Sequence, residues 1–74
     1  MQRIGGTSLN EFKLKAKIVE RNISMEELAN QIGISTATLY RKVRNPLHMT
    51  LLEVTKIKDI LRITDKEAID IFLA

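Results

Sequence analysis

Four stretches of this chain carry the same helix-start signature. Ser8-Leu9-Asn10-Glu11, Ser24-Met25-Glu26-Glu27, Thr50-Leu51-Leu52-Glu53 and Thr64-Asp65-Lys66-Glu67 each place a hydroxyl three residues before a glutamate. In such a capping box the hydroxyl accepts from the N3 amide, and the glutamate reaches back to the cap's own N–H. Ser35 adds a fifth start without the glutamate, since Thr38 stands at its N3 position. Hydrophobic staples reinforce three of the starts, pairing Ile23 with Leu28, Ile34 with Leu39 and Met49 with Val54. Five starts in 74 residues leave almost no room for strands.

The stop signals agree. Asn22 tolerates the left-handed conformation that ends a helix, and Gly33 adopts it freely. Pro46 lacks an amide hydrogen and pushes Asn45 out of helical geometry. Helices are therefore expected over 9–20, 25–32, 36–43, 51–61 and 65–72. Leu28 with Ile32, Leu39 with Val43, and Val54 with Ile57 and Leu61 form apolar stripes at helical spacing. The first helix is apolar on two sides, with Phe12, Ala16 and Val19 opposite Leu14 and Ile18, so it is either central or has a second partner. The expected fold is all-α, a compact five-helix bundle spanning residues 9–74 as one domain. Residues 1–8, with Gly5-Gly6, read as a flexible arm.

Composition excludes several classes. Cysteine is absent, which removes disulfides and thiolate metal sites. His48 is the only histidine and is expected as an exposed loop residue, with a phosphate contact near the third helix as the lesser alternative and no metal or cofactor implied. No nucleophile–base pair or phosphate-cradling glycine loop is visible, so no enzyme is expected. No run approaches a membrane-spanning length, and no signal-peptide stretch opens the sequence, so the cytoplasm is the expected compartment.

Net charge is +3, but unevenly placed. Residues 1–21 carry +3, residues 24–34 carry −2, residues 35–49 carry +3 and residues 50–74 carry −1. The central basic stretch has no acid: Arg41, Lys42 and Arg44 stand alone there. On charge alone an ordinary solvated face is favoured over a polyanion footprint.

Spacing does more. Residues 24–44, SMEELANQIGISTATLYRKVR, set two short capped helices around a turn at Gly33-Ile34-Ser35. Ala29, four residues before Gly33, lets the two helices approach, and Ile34 and Leu39 anchor the second helix. If Leu39 and Val43 face inward, the opposite face presents Thr36, Ala37, Tyr40, Arg41 and Arg44. Arg41 suits a bidentate contact to guanine, and Thr36 and Ala37 stand at the helix end that enters a groove. Tyr40 suits a base edge or a phosphate, although its ring would equally well cover the core edge. Lys42 and Arg44 read as phosphate contacts, and Ser24 and Ser35 cap helices whose first amides can meet phosphates.

These residues resemble the Cro and lambda-repressor-type (XRE) helix-turn-helix family, especially its small phage-encoded members. The likeness runs from about residue 9 to 73 and rests on SMEELANQIGIS, TATLYRKVRNP, TLLEVTKIKDIL and the closing IFLA. It implies a bacterial regulator that binds double-stranded DNA, as a repressor does, through Thr36, Ala37, Tyr40 and Arg41, usually as a homodimer. Met25 stands where the family often has a phosphate-touching Gln, and Lys42 where an apolar residue is common. Ile69, Phe72 and Leu73 are the candidate dimer contacts, with packing against the first helix as the competing role. The alternative function is a protein-interaction module, such as an antitoxin, anti-repressor or regulator accessory. Larger apolar side chains on the Thr36–Arg44 face would favour that alternative, and stacking aromatics there would favour RNA.

Overall fold

The computed structural model describes residues 9–73; the expected arm at 1–8, Ser8 included, lies outside them. Among the described residues there are five α-helices and no strand. They are α1 (Glu11–Glu20), α2 (Met25–Ile32), α3 (Thr36–Arg44), α4 (Leu51–Leu61) and α5 (Asp65–Phe72), with a single 3₁₀ turn over Pro46–His48. The fold is an all-α helix-turn-helix bundle in which α2 packs on α3 and α4, and α1 packs on α5.

Local chemistry sets the helix starts. Ser24, Thr50 and Thr64 each close a full capping box with Glu27, Glu53 and Glu67. Ser35 accepts from the Thr38 amide as a simple cap. The first helix departs from expectation. Its cap is Asn10, whose side chain accepts from the Lys13 amide at 3.0 Å, so the helix begins at Glu11. The reason is tertiary: the Asn10 N–H donates to the Ile71 carbonyl at 2.7 Å, which holds Asn10 in an extended conformation against α5.

Three helix ends share one geometry. After α1, α2 and α4 the chain turns through a left-handed residue, namely Asn22, Gly33 and Arg62. In each case the next residue's amide reaches back five positions, as from Ile34 to the Ala29 carbonyl at 3.0 Å. The turn at Arg62 costs about 1–2 kcal/mol of backbone strain for a residue with a β-carbon. Two features offset it. Ile63 is thereby drawn into the core, and the Arg21 guanidinium donates to the carbonyls of Leu61 and Arg62.

The core consists of the expected stripes except for Val54, which is only half-buried at its edge. Leu28, Ile32, Leu39, Val43, Ile57 and Leu61 are all buried, joined by Leu14, Ile18, Ile71 and Phe72. Ala29 is buried as well, which fits a close approach of α2 to its neighbours. The ambiguity of α1 resolves in favour of Leu14 and Ile18. Phe12 and Val19 stay 88% and 75% exposed.

Candidate nucleic-acid interface

Helix α3 packs on α2 with Leu39 and Val43 turned inward. Its opposite side carries Ala37, Arg41 and Arg44 in the open, with Thr36 and Tyr40 half-buried beside them. These five residues, expected together from spacing, do share one face, and no acid interrupts the helix. Two of the long side chains are pre-oriented. Arg41 Nη2 donates to Thr38 Oγ1 at 3.2 Å, and that oxygen also accepts from Ser35 Oγ at 2.8 Å. The Arg41 guanidinium is thus drawn toward the N-terminal end of α3, with other N–H groups of its fork still to be used. Arg44 sits over the Tyr40 ring, 5.9 Å from its centroid, in a cation–π contact.

Lys42 does not stand with this set. Its ammonium pairs with Glu53 Oε2 at 2.6 Å, and both side chains are mostly covered, at 20% and 15% exposure. Lys42 lies about 100° round the helix from Arg41, which turns it toward α4 instead of outward. The residue expected to meet a phosphate is thus held in an ion pair between α3 and α4, while it also borders the cleft at the end of α3.

The serines are also engaged. Ser24 Oγ accepts from the Glu27 amide and its own N–H donates to the Glu27 carboxylate. Glu26 and Glu27 fill the first turn of α2, where they satisfy the helix dipole and oppose an incoming phosphate. Ser35 Oγ accepts from the Thr38 amide while donating to the Thr38 hydroxyl. What Ser35 leaves for a ligand is the set of amides opening α3.

A cleft of about 510 Å³ opens at the other end of α3, lined by Thr38, Arg41, Lys42, Arg44, Asn45 and His48. Asn45 was not in the expected set, and His48 was expected first as a loop residue and only second as a phosphate contact. Pro46–His48 folds into its 3₁₀ turn directly after α3, and the His48 amide donates to the Asn45 carbonyl at 3.1 Å, which carries the imidazole back to the cleft. The signal was available: a helix stopped at Asn45-Pro46 returns its next residues to its own last turn.

Three cations elsewhere are paired with carboxylates within the bundle. Lys15 pairs with Glu11, Lys58 with Asp65, and Lys17 with both Glu20 and Glu67. The Lys17 ammonium and, next, the Thr64 amide pull the Glu67 carboxyl down to about 2, while Glu67 and Glu20 raise Lys17. The positive balance of the N-terminal segment is thus partly spent inside the fold. Arg41 and Arg44 remain exposed on α3 without a carboxylate partner among the described residues.

The candidate dimer contacts divide. Phe72 is buried in the core, whereas Ile69 and Leu73 are 55% and 63% exposed. They edge an apolar groove of about 380 Å³ that continues through Pro46, Met49, Leu51 and Val54. Leu51 is 82% exposed there, and sequence reasoning missed it. It occupies the first position of α4, ahead of the stripe that packs inward, so periodicity alone does not assign it a side.

A family model described as a Cro/C1-type helix-turn-helix DNA-binding domain matches residues 13–71. No significant match was found among curated proteins or among solved structures. No helix among the described residues is long and apolar enough to cross a membrane.

Proposed function

The chain belongs to the Cro/C1-type helix-turn-helix DNA-binding domain family, a DNA-binding regulator class, and from that premise we propose that it controls transcription by reading the major groove with α3. The observation that carries this reading is the acid-free outer face of α3, where Thr36, Ala37, Tyr40 and Arg41 share one side of a helix. In this proposal Arg41 pairs with guanine O6 and N7, its approach set by Thr38. Thr36 and Ala37 meet bases near the helix N-terminus, and Tyr40 lies against a base edge under the Arg44 guanidinium.

Phosphates are gripped unevenly. The cleft formed by Arg44, Asn45 and His48 takes one backbone phosphate, and the first amides of α3 after Ser35 take another. Ser24 contributes little, because Glu26 and Glu27 share its helix start. A repressor role, with a phage or prophage setting, follows the family resemblance.

The groove edged by Leu51, Ile69 and Leu73 supports a second copy of the chain on a two-fold-related site. It also favours, as a second reading, a protein partner of the antitoxin or anti-repressor kind. Salt titration of a fluorescent duplex separates the DNA reading from that one. Arg44→Ala is expected to weaken binding to every duplex and to reduce the slope of log K against log salt by about one. Binding that is independent of salt and of Arg44 overturns the DNA reading.

A further inference from the structure

Lys42 and Glu53 form a small device whose parts are individually ordinary. Glu53 uses one carboxylate oxygen to close the α4 capping box, accepting from the Thr50 amide at 2.8 Å. The Thr50 hydroxyl accepts in return from the Glu53 amide at 3.1 Å. The second carboxylate oxygen accepts from Lys42 Nζ at 2.6 Å. The carboxylate is therefore not a mobile surface group. Its direction is set by the start of α4, and Lys42 is tied to a fixed point.

Helix α3 needs such a point. Its buried anchors, Leu39 and Val43, are four residues apart and lie nearly on one line along the helix. Two anchors on a line fix how closely α3 approaches the core but resist roll about that line only weakly. A third tether at Lys42, displaced about 60° round the helix from Leu39 and about 100° from Val43, opposes the roll. Rolling by about 10° moves a group at about 5–6 Å from the axis by about 1 Å. That is enough to lose a hydrogen bond to a base edge.

We propose that Glu53, acting through Lys42, is a positioning residue that sets the roll of α3 and hence the aim of its outer face. The proposal rests on the DNA reading for its consequence, but its structural half does not. Supporting it, the Lys42 ammonium and then the Thr50 amide hold the Glu53 carboxyl below its ordinary range, so the pair is intact at neutral pH.

The test uses the whole chain with Glu53→Gln, which keeps a capping oxygen and removes the charge, and Lys42→Met, which keeps the aliphatic stem. Binding is measured to a duplex selected by the wild type and to a random duplex, alongside amide exchange of the free proteins. Each single variant is expected to lose about tenfold for the selected duplex, with random binding and salt slope unchanged. The double variant is expected to be no worse than either single, and Lys42→Arg is expected to restore selected binding. The opposite pattern overturns the proposal: Glu53→Gln tightens both duplexes, and Lys42→Met weakens both with a shallower slope. Lys42 would then be a phosphate contact restrained by an acid. If the wild type selects no duplex, the DNA reading fails, and amide exchange decides the structural half. Faster exchange confined to α3 and the first turn of α4 in both variants supports the tether, and unchanged exchange overturns it.

Discussion

The outer face of α3 and the groove beside the end of α5 are both exposed, yet they are built from opposite materials. On α3 the open residues are Ala37, Arg41 and Arg44, with Thr36 and Tyr40 at the margin and no carboxylate in the helix. At the groove the open residues are Leu51, Ile69 and Leu73, and the walls are apolar. A helix face that keeps its arginines out of ion pairs suits a polyanion, because pairing would cancel the field that attracts phosphates. An apolar groove bordered by exposed leucines suits another protein surface. One small bundle thus presents two surfaces whose chemistry points to different occupants, and substitutions can address them separately.

The largest expected effect removes both together. Leu39 is buried in the single core beneath both surfaces and anchors α3, so Leu39→Ala should cost about 2–5 kcal/mol of stability, read from urea unfolding. Stability within 1 kcal/mol of wild type would show that α3 is held by something other than its buried face. Next, replacing Ile69 and Leu73 with lysine should abolish any self-association, a loss of about 2 kcal/mol or more if these are central interface residues. Sedimentation velocity reads it, and a chain that is monomeric before the change would remove the second-copy proposal while leaving α3 untouched. On the other surface, Arg41→Ala should cost about 1–3 kcal/mol at a single base pair and relax selectivity there. Equal losses on selected and random duplex would reassign Arg41 to a phosphate.

The smallest effect is a control on the internal ion pairs. Glu67 has its folded value lowered from the ordinary 4.5 to about 2, chiefly by Lys17. A depressed carboxyl contributes stability that is fully present above the unfolded value and is lost as pH falls through the folded one. The stability difference between wild type and Glu67→Gln should therefore be constant above about pH 5.5 and shrink between about 4.5 and 2. DNA affinity of Glu67→Gln at neutral pH should match wild type, since this carboxylate serves the α1–α5 side. A shift in affinity there would mean that charge on that side reaches the duplex.

Much of this architecture could be read from residues alone, because its helix starts and stops are local devices. Ser24, Ser35, Thr50 and Thr64 cap where their spacing to the N3 residue says they should, and Gly33 takes the positive φ that its turn requires. The beginning of α1 was misplaced because a long-range bond from Asn10 to Ile71 decides it. The left-handed turn at Arg62 was equally hidden, since the arginine that supports it comes from the far end of α1. The same distinction runs through the candidate site. Periodicity places Thr36, Tyr40, Arg41 and Arg44 on one face, because Leu39 and Val43 fix the other. It could not show that Lys42 finds Glu53, eleven residues away and on another helix. Nor could it show that a 3₁₀ turn returns His48 to the cleft at the end of α3.

The claim at the centre of this account is that the outer face of α3 reads sequence. Selection of a randomised duplex library by the purified chain tests it most directly, followed by anisotropy of the enriched duplex at two salt concentrations. The account predicts a defined site, bound far more tightly than random duplex and repeated about a two-fold axis. Recovery of no preferred sequence, with only weak and salt-sensitive binding to every duplex, would contradict it.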